Sequence, residues 1–266
     1  MSLHRPVYIV KVGGNIIDDE QRLEAFLTTF AAMPGEKVLV HGGGNLATQL
    51  AVDLGITQTM VDGRRITDAA TLRIVTMVYA GLINKSIIAS LQAKECPSLG
   101  LCGADAGLIR AHKRSHPTLD YGYVGDVDKV DANQLAQWLD AGLTIVLAPI
   151  THDGKGTLLN TNADTIAQET ARAMAVLRPT TLVYCFDKPG VLMDVKDNQS
   201  RIPRLTPATY ETLRAAHRIY AGMIPKLDNA FGALHGGVKR VVIGQAEALP
   251  SLLTGEAGTT LMLESD

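Results

Sequence analysis

Three glycine-rich turns, two lysines, an arginine pair and an Asn/Asp cluster are the residues of this chain best equipped for chemistry. The most informative turn, Gly42-Gly43-Gly44, directly follows an apolar run over residues 37–41. Leu46, Leu50 and Leu54 come next at helical spacing, and Gly55 stops the helix. A strand feeding such a turn and then a helix N-terminus makes an anion site. Glycines let backbone N–H groups approach a ligand, and the helix dipole favours negative charge. A second turn, Gly13-Gly14-Asn15, follows the apolar run 7–12, whose end carries Lys11. A lysine at the end of a buried strand is costly unless it is used or paired. Asn160, Asn162 and Asp164 cluster where a strand gives way to a helix. Arg64 adjoins Arg65, and Gly222-Met223-Ile224-Pro225-Lys226 opens a further helix. This is equipment for a polyanionic ligand. Phosphoryl transfer needs it, because its transition state spreads negative charge over oxygens that the protein must position and neutralise.

The same residues fit rival chemistries less well. No Lys-Ser or Lys-Thr follows the glycines, so the turn is not a Walker A loop. Gly42-x-Gly44-x-x-Ala47 matches a loose dinucleotide fingerprint, with Asp62 at the expected distance. That acid should end a second apolar strand, whereas residues 58–65 end in two arginines, so a nicotinamide-dependent dehydrogenase fits poorly. His112 and His116 have Lys113, Arg114 and Pro117 around them, the mark of a solvated loop rather than a metal pair. Cys96, Cys102 and Cys185 are an odd set without a close pair. They argue against a disulfide framework or a zinc site and suit a reducing cytoplasm. Neither His-Glu-x-x-His nor Gly-x-Ser-x-Gly occurs, which leaves zinc protease and serine hydrolase chemistry unsupported.

The elements that must hold these residues alternate between strand and helix. With 266 residues, 46% hydrophobic and 20% charged, the chain can form one large domain or two lobes with ample core. A net charge of -2 gives no general affinity for nucleic acid. No apolar run approaches the ~20 residues of a membrane span, and the N-terminus lacks the long apolar stretch of a secretory signal. Leu23, Phe26, Leu27 and Phe30 mark an amphipathic helix. Thr67 is the expected N-cap of a long helix over 68–94 whose apolar residues cover more than one face, one for the sheet and one for a two-fold partner. Strands are expected at 98–102, 182–186, 238–243 and 260–263, a hairpin within 120–130, and one strongly apolar strand over 143–150. The alternation predicts an α/β fold around a mainly parallel sheet, with a boundary near Arg178-Pro179.

Lys11-Val12-Gly13-Gly14-Asn15, His41-Gly42-Gly43-Gly44, Gly63-Arg64-Arg65-Ile66-Thr67, Asn160-Thr161-Asn162-Ala163-Asp164 and Gly222 to Lys226 resemble, in order and across nearly the whole chain, the N-acetylglutamate kinases of the amino acid kinase family. Met77-Val78, Asn84-Lys85 and the 122–126 segment join them. The resemblance implies a three-layer αβα sandwich, with residues 1–177 as an acylglutamate-binding and dimerisation lobe and 178–266 as an ATP lobe. It implies phosphorylation of the side-chain carboxylate of N-acetyl-L-glutamate in arginine biosynthesis, by a cytoplasmic homodimer using ATP with Mg2+ carried by the nucleotide. Matched motif by motif, Lys11 and Lys226 are the transition-state lysines and Asp164 orients them. Gly43, Gly44, Arg65 and Asn160 hold the acylglutamate, and Gly13, Gly14, Asp187, Lys188 and Gly190 fall where the family contacts the nucleotide. Asn45, Arg64 and Tyr184-Cys185-Phe186 depart from the family pattern. The N-terminal helix of arginine-inhibited hexamers is not seen, which resembles the arginine-insensitive dimers. Two other substrates stay open: N-succinyl-L-glutamate, whose extra carboxylate Arg64 could hold, and carbamate, because Gly13-Gly14-Asn15 also resembles carbamate kinases. A non-catalytic metabolite sensor should have lost Lys11, Asp164 or Lys226, and all three are present.

Overall fold

The apolar runs that end in the glycine turns lie side by side as parallel strands in the computed structural model, which describes residues 5–61, 64–219 and 223–263. Asp62, Gly63 and Gly222 of the motifs above lie outside the described residues. The first half contains β1 (Val7–Val12), α1 (Gly14–Ile17), α2 (Glu20–Ala32), β2 (Glu36–His41), α3 (Gly44–Asp53), β3 (Met60–Val61) and β4 (Arg64–Arg65). A single rod follows: α4 (Ala69–Val75), π-helical turns (Thr76–Ile83) and α5 (Asn84–Ala93). Next come β5 (Ser98–Leu101), β6 (Ile109–Lys113), β7 (Gly125–Val130), α6 (Ala132–Asp140), β8 (Thr144–Leu147), β9 (Ile150–His152), β10 (Leu158–Asn160) and α7 (Ala163–Ala175). The last third holds β11 (Thr180–Phe186), β12 (Arg204–Leu205), α8 (Pro207–Ala215), α9 (Ile224–His235), β13 (Arg240–Gln245), α10 (Leu249–Thr254) and β14 (Thr259–Leu261).

Among the described residues, eight strands form the main sheet in the order β12-β14-β13-β11-β1-β2-β8-β5. The six from β13 to β5 run parallel, and β14 is antiparallel to β13. Both faces are covered, so the strands are apolar throughout rather than alternating. Parity decides which layer each side chain enters. Val7, Ile9, Val38, Val40, Leu182 and Tyr184 join one core with α6, α7 and α9. Val10, Val12, Leu39, Val183 and Cys185 join the other, with α2, α3, the long rod and α10. This is the expected αβα sandwich. The main sheet runs through the 177/178 boundary, since β1 pairs with β2 on one side and β11 on the other.

Several local expectations change. Asp68, not Thr67, caps the rod, accepting the Thr71 N–H at 2.7 Å. Thr67 is buried instead, with its backbone bridged to Gly122. On α3 the fully buried residues are Ala47 and Ala51, while Leu54 is exposed. The 143–150 run splits into β8 and β9 at Pro149, which cannot donate to a ladder. No hairpin forms within 120–130: β7 begins only at Gly125 and pairs instead with β6, a strand where the sequence indicated a loop. On it His112 lies 2.6 Å from Asp128 at the surface. The helix Ala69–Ala93 contains an 18-residue stretch of mean hydropathy 1.6 and is long and apolar enough to cross a membrane. Here Ile74, Val78, Ile83, Ile87 and Leu91 are buried in the second core.

The crossing from α7 to β11 is tied by Arg178, whose guanidinium contacts Glu36 and lies 3.3 Å from Asp140. Its side chain is 4% exposed, so its loss would strand the nearly buried Glu36 carboxylate. Arg178→Ala should lower unfolding free energy by about 3 kcal/mol in urea denaturation. A change below about 1 kcal/mol, as for a surface pair, would contradict a structural role for the cluster.

Candidate active site

The connections that leave the carboxyl ends of β1, β2, β8 and β11 emerge along one edge of the parallel sheet, the edge where open α/β sheets bind ligands. Lys11 is one residue from the end of β1 and shares the parity of Val7 and Ile9, so it faces the layer of α7. Asn162 caps α7, accepting the N–H groups of Asp164 and Thr165 at 2.7 and 3.3 Å. The cap sets Asp164 in the first turn, aimed back at the sheet edge. Its Oδ1 lies 2.7 Å from Lys11 Nζ and its Oδ2 3.1 Å from Lys226 Nζ, which the first turn of α9 supplies. Burial alone would raise the Asp164 carboxyl. The two ammonium groups outweigh it and hold it down at about 2. Asp164 is therefore a carboxylate at neutral pH, and the three charges sum to one positive.

Two cavities flank this cluster. The first lies between the Gly42-Gly43-Gly44 turn, Arg65 and the stretch from Asn160 to Ala163. Gly43 has φ 143°, and a Cβ there would sit 2.1 Å from Ile83 Cδ1, so the turn presses against the π-helical part of the rod. Among the described residues, the N–H groups of Gly43 and Gly44 donate to no protein acceptor. They are free for an anion at the start of α3. Arg65 is buried and gives its guanidinium to Gly44 O at 2.8 Å, Thr48 Oγ1 at 2.9 Å and Gln58. Asn160 donates to Thr67 Oγ1 at 3.0 Å. His41 is wholly buried behind the turn, with Nδ1 2.8 Å from Gly42 O and Nε2 3.3 Å from Asn84 Nδ2. Burial pushes its imidazole down to about 4, so it is neutral and packs behind the turn without lining the cavity.

The second cavity is lined by Phe186, Asp187, Lys188, Gly190 and Lys226, with an apolar wall that includes Ile219 and Met223. Gly13 and Gly14 line neither cavity. They stand between them, where a Cβ on Gly13 would lie 3.9 Å from Lys11 Nζ and one on Gly42 would lie 3.8 Å from the Gly14 nitrogen. Of the three departures from the family pattern, Asn45 is turned away from the cavity, donating to Asp18 Oδ2 at 2.6 Å. Arg64 lines the first cavity. Burial lowers its guanidinium, as does the neighbouring Arg114, with Asp126 opposing them. Phe186 sits over both lysines, with Lys226 Nζ 4.2 Å and Lys11 Nζ 5.4 Å from its ring centroid. The sequence flagged Phe186 only as unusual. Tyr79 carries no such signal, and His41 and Asn84 enter only within longer motifs, because nothing in their spacing tells that the rod reaches the glycine turn.

The arrangement is one carboxylate binding two cations between a polar cavity and a more apolar one. It can hold two anionic partners end to end. Residues 6–245 match the amino acid kinase family. The chain is 54% identical over 248 residues to an acetylglutamate kinase of Cytophaga hutchinsonii, covering 93% of this chain and 94% of that one. It is 55% identical over 241 residues to an acetylglutamate kinase of Bacteroides thetaiotaomicron, covering 91% and 94%. In fold it is similar to an N-acetylglutamate synthase from Neisseria gonorrhoeae, at a TM-score of 0.81 and 24% identity. That alignment takes in 98% of this chain and 60% of the synthase. It is also similar to a carbamate kinase from Giardia lamblia, at 0.67 and 14%, over 99% and 100%. The match over most of the length, with relatives more than half identical, makes this chain a kinase belonging to the amino acid kinase family.

Proposed function

We propose that the chain transfers the γ-phosphoryl group of ATP to the side-chain carboxylate of N-acetyl-L-glutamate, in arginine biosynthesis. The observation that carries this is Asp164 pairing with Lys11 and Lys226 between two cavities. The acylglutamate occupies the first, with Arg65, Asn160 and the Gly43 and Gly44 N–H groups around it. The second fits a nucleotide, having an apolar wall for a base and Lys188 and Lys226 for phosphates. Residues 1–177 and 178–266 are then the two substrate lobes. The acceptor carboxylate is already ionised at neutral pH and needs no general base. One of its oxygens bonds to the γ-phosphorus as the bond from phosphorus to the β,γ-bridging oxygen breaks, and ADP leaves with that electron pair. Lys11 offsets charge on the acceptor side and Lys226 on the departing side, while Asp164 fixes their positions. Mg2+ carried by a nucleotide in the second cavity would neutralise phosphate charge there, beside Lys188 and Lys226. Carbamate fits this cavity less well, since it has no α-carboxylate for Arg65.

We also propose a homodimer. Met77 and Leu82 are 52% and 61% exposed on the long rod, an unpartnered apolar face of the kind a two-fold interface covers. Sedimentation should give a dimer at micromolar protein, and a monomer there would reject the interface.

Arg64 on the first cavity favours a second substrate reading, N-succinyl-L-glutamate, whose terminal carboxylate it can hold. ADP release measured with the acetyl, succinyl and carbamate substrates tests all three. Turnover with an acylglutamate and none with carbamate is expected. A succinyl preference of about tenfold in kcat/KM that disappears in Arg64→Leu would assign the acyl group to Arg64. An acetyl preference untouched by the substitution would leave N-acetylglutamate alone, and turnover with carbamate only would contradict the reading.

A further inference from the structure

We infer that Phe186 is a positioning residue of the transfer centre, its ring face holding the Lys226 and Lys11 side chains where Asp164 clamps them. Both ammonium groups lie within the roughly 6 Å reach of a cation–π contact, Lys226 at 4.2 Å and Lys11 at 5.4 Å. The ring is itself held. Phe186 ends β11 and stacks on Tyr184, the centroids 6.1 Å apart and the planes 9° from parallel. Tyr184 is fully buried, and its hydroxyl donates to the main-chain oxygen of Asp164 at 3.2 Å. The two aromatic residues share one parity of the strand. Together they connect the backbone of the clamping residue to the cations that it clamps.

The electrostatics explain why an aromatic face suits this place. Two ammonium groups share one carboxylate, and the Lys11 and Asp164 side chains are only 9% and 12% exposed. One positive charge is left over, and on the kinase reading above the transferred phosphoryl group needs it. A second carboxylate would cancel that charge and repel the phosphates. A π face attracts ammonium without adding net charge. Lys226 has the greater need, because its side chain is 29% exposed and its flexible stem can carry the ammonium out to water. Phe186 also lines the second cavity beside Asp187 and Lys226, so the ring stands on the nucleotide side of the pair. The effect belongs to the orientation of the lysines during transfer rather than to acylglutamate binding.

Two measurements test this. The first is independent of turnover. In the wild-type protein, NMR should place the ε-methylene protons of Lys226 upfield through the ring current, and Phe186→Leu should return them to ordinary positions. Unshifted protons in the wild type would overturn the inference whatever the activity. In the second, Phe186 is replaced by mono-, di- and trifluorinated phenylalanine, which keep its shape while weakening the π face. kcat should fall stepwise, to about tenfold below wild type, with the acylglutamate KM and the melting midpoint unchanged. A flat kcat across the series would overturn the inference while wild-type turnover left the kinase reading standing. Wild-type protein that transferred no phosphoryl group would remove the kinase reading, and this inference with it.

Discussion

A carboxylate that is nearly out of water must be paired, and the rest of this structure can be read from how Asp164 meets that demand. Removing a charge from water costs several kcal/mol. Here the cost is offset by two cations drawn from distant parts of the chain, Lys11 and Lys226, whose attraction overrides burial and keeps the group ionised. The outcome is a fixed excess of one positive charge at a junction between two cavities. Such a cluster is a poor way to gain stability and an effective way to place charge where a transition state will need it. The aromatic plate under the lysines fits the same logic, since it adds attraction without cancelling the excess.

The fold supplies the three members with little freedom. β1 lies between β2 and β11, so the end of β1 sits where the two wings of the sheet meet. Strand parity then sends Lys11 to the α7 side, and the Asn162 cap sets the first residues of α7 against it. The same edge receives the Gly42-Gly43-Gly44 turn, which presses against the π-helical turns of the rod while, among the described residues, its Gly43 and Gly44 N–H groups meet no protein acceptor. π-Helical segments are rare and occur often at functional sites. This one brings Tyr79 and Ile83 against Gly43, so the interior of the rod shapes the cavity.

Much of this architecture was legible in the sequence because its signals are local. Apolar runs ending in glycine gave the parallel strands, and the alternation of strand and helix gave the layers. That Lys11, Asp164 and Lys226 meet was not local information. They are far apart in sequence, and only the resemblance to a family tied them together. Errors arose where tertiary context overrode a local signal. Thr67 looks like a cap but is consumed by β pairing with Gly122, leaving Asp68 to cap the rod. The polar segment around His112 looks like a loop, yet pairing with β7 makes it a strand with an exposed face. Phe186 carried no periodic signal, since its partners are two cations from other elements.

If the kinase reading holds, the negative charge of Asp164, not its shape, keeps the two lysines in place for phosphoryl transfer. Asp164→Asn keeps the size and the hydrogen-bonding reach while removing the charge, so its steady-state kinetics are the most direct test, with the melting midpoint confirming a folded protein. The expected result is a fall in kcat of about 100- to 1,000-fold with a small change in the acylglutamate KM. A folded Asp164→Asn enzyme that turns over within about threefold of wild type would contradict it.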